Sequence, residues 1–365
     1  MSTINRDAGD AALTRLPDLR QILHGLPKAD LHRHLEGSLR LATLAEIAHE
    51  HGVDLPARGI DALRPYVQIT DDPPDFHRFL EKFRLLRQFY RTPEAVARVA
   101  YEAVADAAAD HVKYLELRFN PAALARTQGF AFEEVADWVI EAVRRAGQDT
   151  GITVRLITTL VRHENLDIAE RVAQLSIDRC GDGIVGIDLA GDEVNFDAKP
   201  FIPIFRDARD AGLGVTIHAG EAAGAENVRQ AVVEMGANRI GHGVRSIENS
   251  EVIRLLRDRN IALEVCLTSN LQTGVMRNFS HHPLRDLYML GVPVTLNTDD
   301  PSVSDTTLTD EYLVAMMAAG LRMGQLRALC ANALRAAFVP EAERQALEAQ
   351  IMAEWDEKAK LYWSG

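Results

Sequence analysis

The pair His32-x-His34, inside Lys28-Ala-Asp-Leu-His-Arg-His-Leu-Glu36, constrains this chain more than any other feature, because three later segments answer it. They are His218-Ala-Gly-Glu221, Gly241-His242-Gly243 and Asn297-Thr-Asp299-Asp300-Pro301, and each follows a short β-branched, apolar run that reads as a strand. Side chains at i and i+2 of a strand share a face, so His32 and His34 can reach one ion. One further His and one Asp from other strands would complete a nitrogen- and oxygen-rich site suited to zinc or iron. The fold has to bring strand ends that are remote in sequence to one place.

Short β-rich runs alternate with amphipathic stretches along the chain, giving eight candidate strands: Ala29–Leu35, Val112–Phe119, Thr153–Leu160, Ile184–Leu189, Gly214–His218, Arg239–His242, Ala262–Leu267 and Pro293–Asn297. Helical patterns fall between them, among them Ala95–Ala109, Phe132–Ala146, Ile202–Ala211, Asn227–Met235 and Ser250–Arg259. Strands alternating with helices predict a parallel sheet, and eight such units predict an α/β fold of the (β/α)8 TIM-barrel type. A barrel gathers the C-terminal ends of its strands on one rim, which an open sheet would not do for strands one and eight. The 365 residues are read as one domain, with an N-terminal extension over 1–26, a helical insertion over 60–92 and C-terminal helices over 305–365 that close the barrel without chemistry of their own. Within the insertion, Phe76, Phe79, Leu80 and Phe83 form a stripe at helical spacing. It reads either as core packing of an extra helix or as an apolar wall over the barrel mouth, with Phe79 and Phe83 against a flat ligand.

The formal charge of −13 argues against a nucleic-acid polymer as partner. No apolar run approaches the roughly eighteen residues of a membrane helix, and Met1 to Arg20 lacks a signal-peptide core. Cys180, Cys266 and Cys330 are too few and too scattered for a disulfide framework, so a reducing cytoplasm is expected. A homo-oligomer is compatible with the sequence, which carries no direct sign of one.

The strand-end residues suggest a reaction. A divalent ion with four protein ligands and one open position binds water and lowers its pKa toward neutrality. Glu221, three residues beyond His218, would carry protons, and His242 would hold or deprotonate the attacking water. Asp299 follows an apolar strand directly, where a carboxylate needs a cation. The alternative is a set of hydrogen-bonded structural histidines and a solvated strand end. Strand four, Ile184-Val-Gly-Ile-Asp-Leu-Ala-Gly191, has no lysine to bridge two metals, so a single metal is expected.

The strings HRHLEGS, DLAGDE, HAGEAAG, RIGHGV, LTSN and LNTDDP, in this order, resemble the adenosine deaminase family of the amidohydrolase superfamily over most of the chain. The resemblance implies one zinc per chain held by His32, His34, His218 and Asp299, with iron(II) suiting the same donors, and hydrolytic deamination of a 6-aminopurine nucleoside. It implies Glu221 as proton donor to ring N1, His242 as the residue that orients and activates the water, Asp300 as partner of N7 and Gly191 as a backbone donor toward N3. His34 counts among the substrate contacts as well as the ligands. Asp188 and Ser269 stand where groups supporting the ligands would be useful, and the stretch around Phe79 and Phe83 resembles the family's gate helix.

One position departs from the pattern. Family members acting on adenosine commonly have Asp two residues after the second histidine; here it is Glu36, one methylene longer. Adenine deaminases of the superfamily can show Glu there, whereas DLAGDE and HAGEAAG look closer to the nucleoside enzymes. Glu36 is therefore read as a sugar contact in a resized pocket. Adenine, a 5′-modified adenosine such as aminodeoxyfutalosine, another amide or phosphoester, and a non-catalytic binding role are the competing readings.

Overall fold

The computed structural model describes residues 18–57 and 59–363; most of the 1–26 extension lies outside these residues. Eight strands, β1 (Lys28–His34), β2 (Val112–Phe119), β3 (Thr153–Val161), β4 (Ile184–Ala190), β5 (Gly214–Ala219), β6 (Arg239–His242), β7 (Ala262–Val265) and β8 (Val294–Leu296), pair in parallel in sequence order. The seam between β8 and β1 is made just past β8, where Arg33 and Asp299 form a parallel bridge. Asp299 N donates to His32 O at 2.7 Å and His34 N to Asp299 O at 2.8 Å. The expected TIM barrel is thus present, and every expected strand falls within two residues of an observed one.

Helices cover the strands' outer faces, and their ends follow local rules. Thr92 caps the helix Pro93–Ala109 by accepting from Ala95 N at 3.1 Å, with Pro93 in the first turn where its missing N–H costs nothing. The insertion between β1 and β2 holds helices Leu41–His51, Ile60–Val67 and Phe76–Leu86. Asp75 caps the last of these through Arg78 N at 2.9 Å, and Phe79 and Phe83 bury on its inner face. After β8, helices Leu308–Met317, Met323–Ala336 and Glu341–Trp363 pack on the barrel, the Trp355 ring lying against Tyr312. No helix among the described residues is long and apolar enough to cross a membrane.

The barrel interior is charged rather than apolar. At its base sits Phe338, admitted because β4 and β5 carry glycine there: a Cβ on Gly186 or Gly214 would meet the ring at 2.7 or 2.4 Å. Arg239 of β6 stacks over Phe338 at 3.5 Å, pairs with Glu116 of β2, and donates from Nε to Glu264 of β7 at 2.6 Å. Glu264 also accepts from Arg118 of β2 at 2.8 Å and from Thr216 of β5 at 3.0 Å. Arg118 in turn lies 3.3 Å from Asp188 of β4. Such buried charges persist only when fully paired, because desolvating an ion costs several kcal/mol.

Arg239→Met should therefore lower the unfolding free energy by about 3–5 kcal/mol, since it removes the cation paired with Glu116 and one of the two guanidinium groups that hold Glu264. Urea unfolding would check this, and a loss below about 1 kcal/mol would show that the ladder contributes little.

Candidate active site

The C-terminal ends of β1 and β5 and the turn after β8 deliver His32, His34, His218 and Asp299, whose ligating atoms all lie within 4.8 Å of one another. His32 Nε2 and His34 Nε2 stand 3.2 and 3.4 Å from Asp299 Oδ1, and the Nε2 atoms of His34 and His218 are 3.3 Å apart. His32 Nε2 is buried without a hydrogen-bond partner. Buried polar atoms are almost always satisfied, and three imidazole nitrogens and a carboxylate converging on one point are what a divalent ion satisfies. The residues present fit zinc. His242, Cys266 and Asp299 form a second, overlapping group. Burial pushes the Cys266 thiol well above its usual range, and its sulfur faces Glu264 O, so it offers no thiolate.

The far sides of these rings are held. His32 Nδ1 meets Glu264 at 2.7 Å and His218 Nδ1 meets Asp188 at 2.9 Å. Burial alone would raise both carboxyls. Arg118 and Arg239 keep Glu264 well below the ordinary range, and His218 and Arg118 do the same for Asp188. Anionic partners of this kind fix the tautomer and raise the basicity of a ligating imidazole. Gly241 is small for a related reason: a Cβ there would meet His32 Cε1 at 3.0 Å and His218 Cα at 3.3 Å. The room beside His242 is thus used by the histidines opposite.

Glu221, His242 and Asp300 surround this quartet. His242 Nε2 lies 3.5 Å from Glu221 and 3.9 Å from Asp299, while its Nδ1 faces Asn270 Nδ2 at 3.2 Å. Burial first, then the charges of Asp299 and Glu193, pushes the Glu221 carboxyl well above its ordinary range. Asp300 is raised likewise, by burial and by Asp299 and Glu36, and its Oδ1 is buried without a partner. Gly37 permits its approach, since a Cβ there would stand 1.9 Å from that oxygen. Burial pulls His242 well below its usual value, so its ring is neutral. Asp299 (φ 64°) and His242 (φ 59°) both adopt left-handed backbone, a strain of about 1–2 kcal/mol each that concentrates at working sites.

These groups open into a cavity of about 200 Å³ that reaches Gly191 at the end of β4, Glu36 after β1, and the apolar wall of Phe76, Phe79, Leu80 and Phe83. The aromatic stripe is therefore both core and wall. Every candidate site residue meets at this cavity or, in the case of His32, directly behind it.

Ser269 departs from expectation: its hydroxyl is buried with no partner, and its neighbour Asn270 bonds His242 instead, with His282 on the other edge of the amide at 3.2 Å. The C-terminal helices are also more than scaffold, since Glu311 accepts from Leu267 N at 2.7 Å and Thr268 N at 3.2 Å and so anchors the short helix Leu267–Gln272 that carries Asn270. Sequence reading missed Glu264, Arg118, Arg239 and Glu193. Glu193 receives the amides of Gly220, Glu221 and Ala223 at 2.7–2.9 Å and so shapes the loop beneath the Glu221 carboxyl. Charged residues inside otherwise apolar strands, as in Ala262-Leu-Glu264-Val265, were the available signal, because they demand buried partners.

Barrel, donor quartet and raised carboxyls together are those of a barrel hydrolase with a candidate metal site. The family described as adenosine deaminase matches residues 27–354. An adenosine deaminase of Klebsiella pneumoniae is 42% identical over 323 residues, 88% of this chain and 96% of that one. Among solved structures, an amidohydrolase from Burkholderia ambifaria with bound zinc superposes with a TM-score of 0.86 at 27% identity, covering 95% of both chains. The adenine deaminase of Arthrobacter aurescens gives 0.84 at 26% identity, over 91% of this chain and 99% of that one. The chain belongs to the adenosine deaminase family and is a hydrolytic deaminase.

Two metal titrations follow. Asp299→Ala should abolish stoichiometric zinc uptake, and Glu264→Gln should weaken zinc binding about 10- to 100-fold against a competing chelator. Unchanged affinity in either variant would overturn the corresponding assignment.

Proposed function

We propose that the chain hydrolyses the 6-amino group of a purine nucleoside, adenosine or 2′-deoxyadenosine, to give the 6-oxopurine and ammonia. One observation carries this reading above all. Two buried carboxyls, Glu221 and Asp300, both raised well above the ordinary range, flank the donor quartet and face one cavity. Carboxyls kept neutral can donate hydrogen bonds, which is what two unprotonated ring nitrogens require. The relatives' named activity agrees with it.

His32, His34, His218 and Asp299 would hold one zinc per chain, and iron(II) suits the same donors. When bound, the metal supplies Lewis acidity and lowers the pKa of a water. The chain's own groups do the rest. Glu221 passes its proton to N1, which breaks the aromaticity of the ring at the carbon under attack. Asp300 donates to N7, and the Gly191 amide points toward N3. Asn270 Nδ2 donates to His242 Nδ1, which leaves the ring proton on Nε2, the edge facing Glu221 and Asp299. This favours His242 fixing the water by a hydrogen bond over its stripping a proton. The aromatic wall covers the base and excludes solvent, while Glu36, with Oε1 held by Asn120 N at 2.7 Å, keeps its other oxygen for a sugar hydroxyl.

A second reading rests on Glu36 itself, whose extra methylene is compatible with adenine or a 5′-modified adenosine as the true substrate. The cytoplasmic setting remains part of the proposal, resting on free cysteines of which Cys180 is exposed.

Purified zinc-loaded protein should turn over adenosine and 2′-deoxyadenosine and ignore adenine; preference for adenine would retain the chemistry and replace the substrate. Glu221→Gln should keep its zinc and lose about 10²- to 10⁴-fold in kcat, and near-normal turnover would remove Glu221 from its role. The raised Glu221 pKa sets the sign of the pH effect. The protonated acid is the active form, so kcat/KM should hold through neutrality and fall as alkaline pH takes that proton away. A rising alkaline limb would contradict it.

A further inference from the structure

The far edges of His32 and His218 meet carboxylates, whereas that of His242 meets the Asn270 amide at 3.2 Å. An ionised carboxylate only accepts, so it dictates the tautomer of the ring it faces. A carboxamide can donate from one side or accept on the other, and dictates nothing until its own orientation is set. What sets it lies outside the substrate cavity, whose lining includes neither Asn270 nor His282. His282, between β7 and β8, is 5% exposed; its Nε2 stands 3.2 Å from Asn270 Oδ1, and its Nδ1 receives the backbone N–H of Leu284 at 3.1 Å.

A backbone amide can only donate, so Nδ1 is the accepting nitrogen of His282. Burial pulls this ring's pKa down to about 3, so at neutral pH it is uncharged and carries its one proton on Nε2. That proton goes to Asn270 Oδ1, which leaves Asn270 Nδ2 to face His242, and Nδ2 has only hydrogens to offer. The reversed amide would set Nδ2 against the His282 N–H, two buried donors with no acceptor between them, an arrangement folded interiors avoid. His242 therefore accepts at Nδ1 and holds its proton on Nε2, the edge toward Glu221 and Asp299. We infer that His282 is a positioning residue for the deamination: through Asn270 it sets the His242 tautomer that presents an N–H to the attacking water. The direction originates at a main-chain N–H, which no side-chain rotation can reverse. The inference rests on the deaminase reading above, in which His242 fixes the water, and names what fixes His242. A catalytic histidine left in place with the wrong tautomer loses much of its effect on turnover.

The test uses zinc-loaded protein labelled with ¹⁵N-histidine, as wild type and as His282→Asn. The shorter amide of that variant can still take the Leu284 N–H but withdraws the donor from Asn270. The His242 ring signals are identified by their loss in His242→Gln. Wild type should show His242 protonated at Nε2 and bare at Nδ1. In His282→Asn part or all of that proton should move to Nδ1. The variant's kcat for its preferred 6-aminopurine should fall at least about threefold, because only part of the population then presents its N–H to the water. KM and zinc content should hold. His282→Met, which drops both contacts, carries the same expectation and stands in should the asparagine variant fail to fold. Wild-type His242 protonated at Nδ1 would overturn the inference, as would a variant in which either the His242 spectrum or kcat is unmoved; each leaves the deaminase reading standing. A wild type that deaminates no 6-aminopurine would overturn that reading and the inference with it.

Discussion

Glu264 is the residue on which the rest of this structure depends. One buried carboxylate receives His32, Arg118, Arg239 and Thr216, and so joins β1, β2, β5, β6 and β7 across the barrel axis. In a low-dielectric interior each of these contacts is strong, and each would be costly to leave unmade. The same atom pair that stabilises the barrel also turns His32 toward the quartet. Fold and metal chemistry therefore share a single electrostatic chain, running from Phe338 and Arg239 at the base to His32 and His218 at the rim.

That chain explains why the carboxyls around the site divide into two kinds. Glu264 and Asp188 sit beside fixed guanidinium groups and remain anionic, available to hold imidazoles. Glu221 and Asp300 are equally buried but have carboxylates for their nearest charges, and they stay protonated. Desolvation acts alike on all four; the sign of the neighbours decides. Two anionic anchors below and two neutral acids above are what a reaction needs when it must both position a cation and donate protons to a ring.

Most of the fold was legible in the sequence because parallel barrel strands are short, apolar and regularly interrupted, as in Ile184–Leu189 and Gly214–His218. Strand ends that carry histidine and aspartate then announced the rim. What was not legible were contacts across the barrel. Nothing near Glu264 in sequence says that Arg118 and Arg239 are its partners, and nothing near Ser269 says that Asn270 rather than the serine reaches His242. Those choices depend on side-chain direction at a turn, which local composition does not encode. The glycines at 186 and 214 read as ordinary strand glycines until Phe338, far along the chain, is seen to occupy the space they leave.

Asp299 has one further consequence, through its backbone. Its amide and carbonyl bond His32 and His34, so the residue that supplies the fourth donor is also the stitch that shuts the barrel. During synthesis the two histidines of β1 leave the ribosome ahead of seven further strands and must wait for these before their partner arrives. A nascent or truncated chain ending before β8 can present imidazoles but not the assembled quartet. Capture of an ion by all four donors would thus require the closed barrel, and a chain still short of Asp299 could not hold it in the same way.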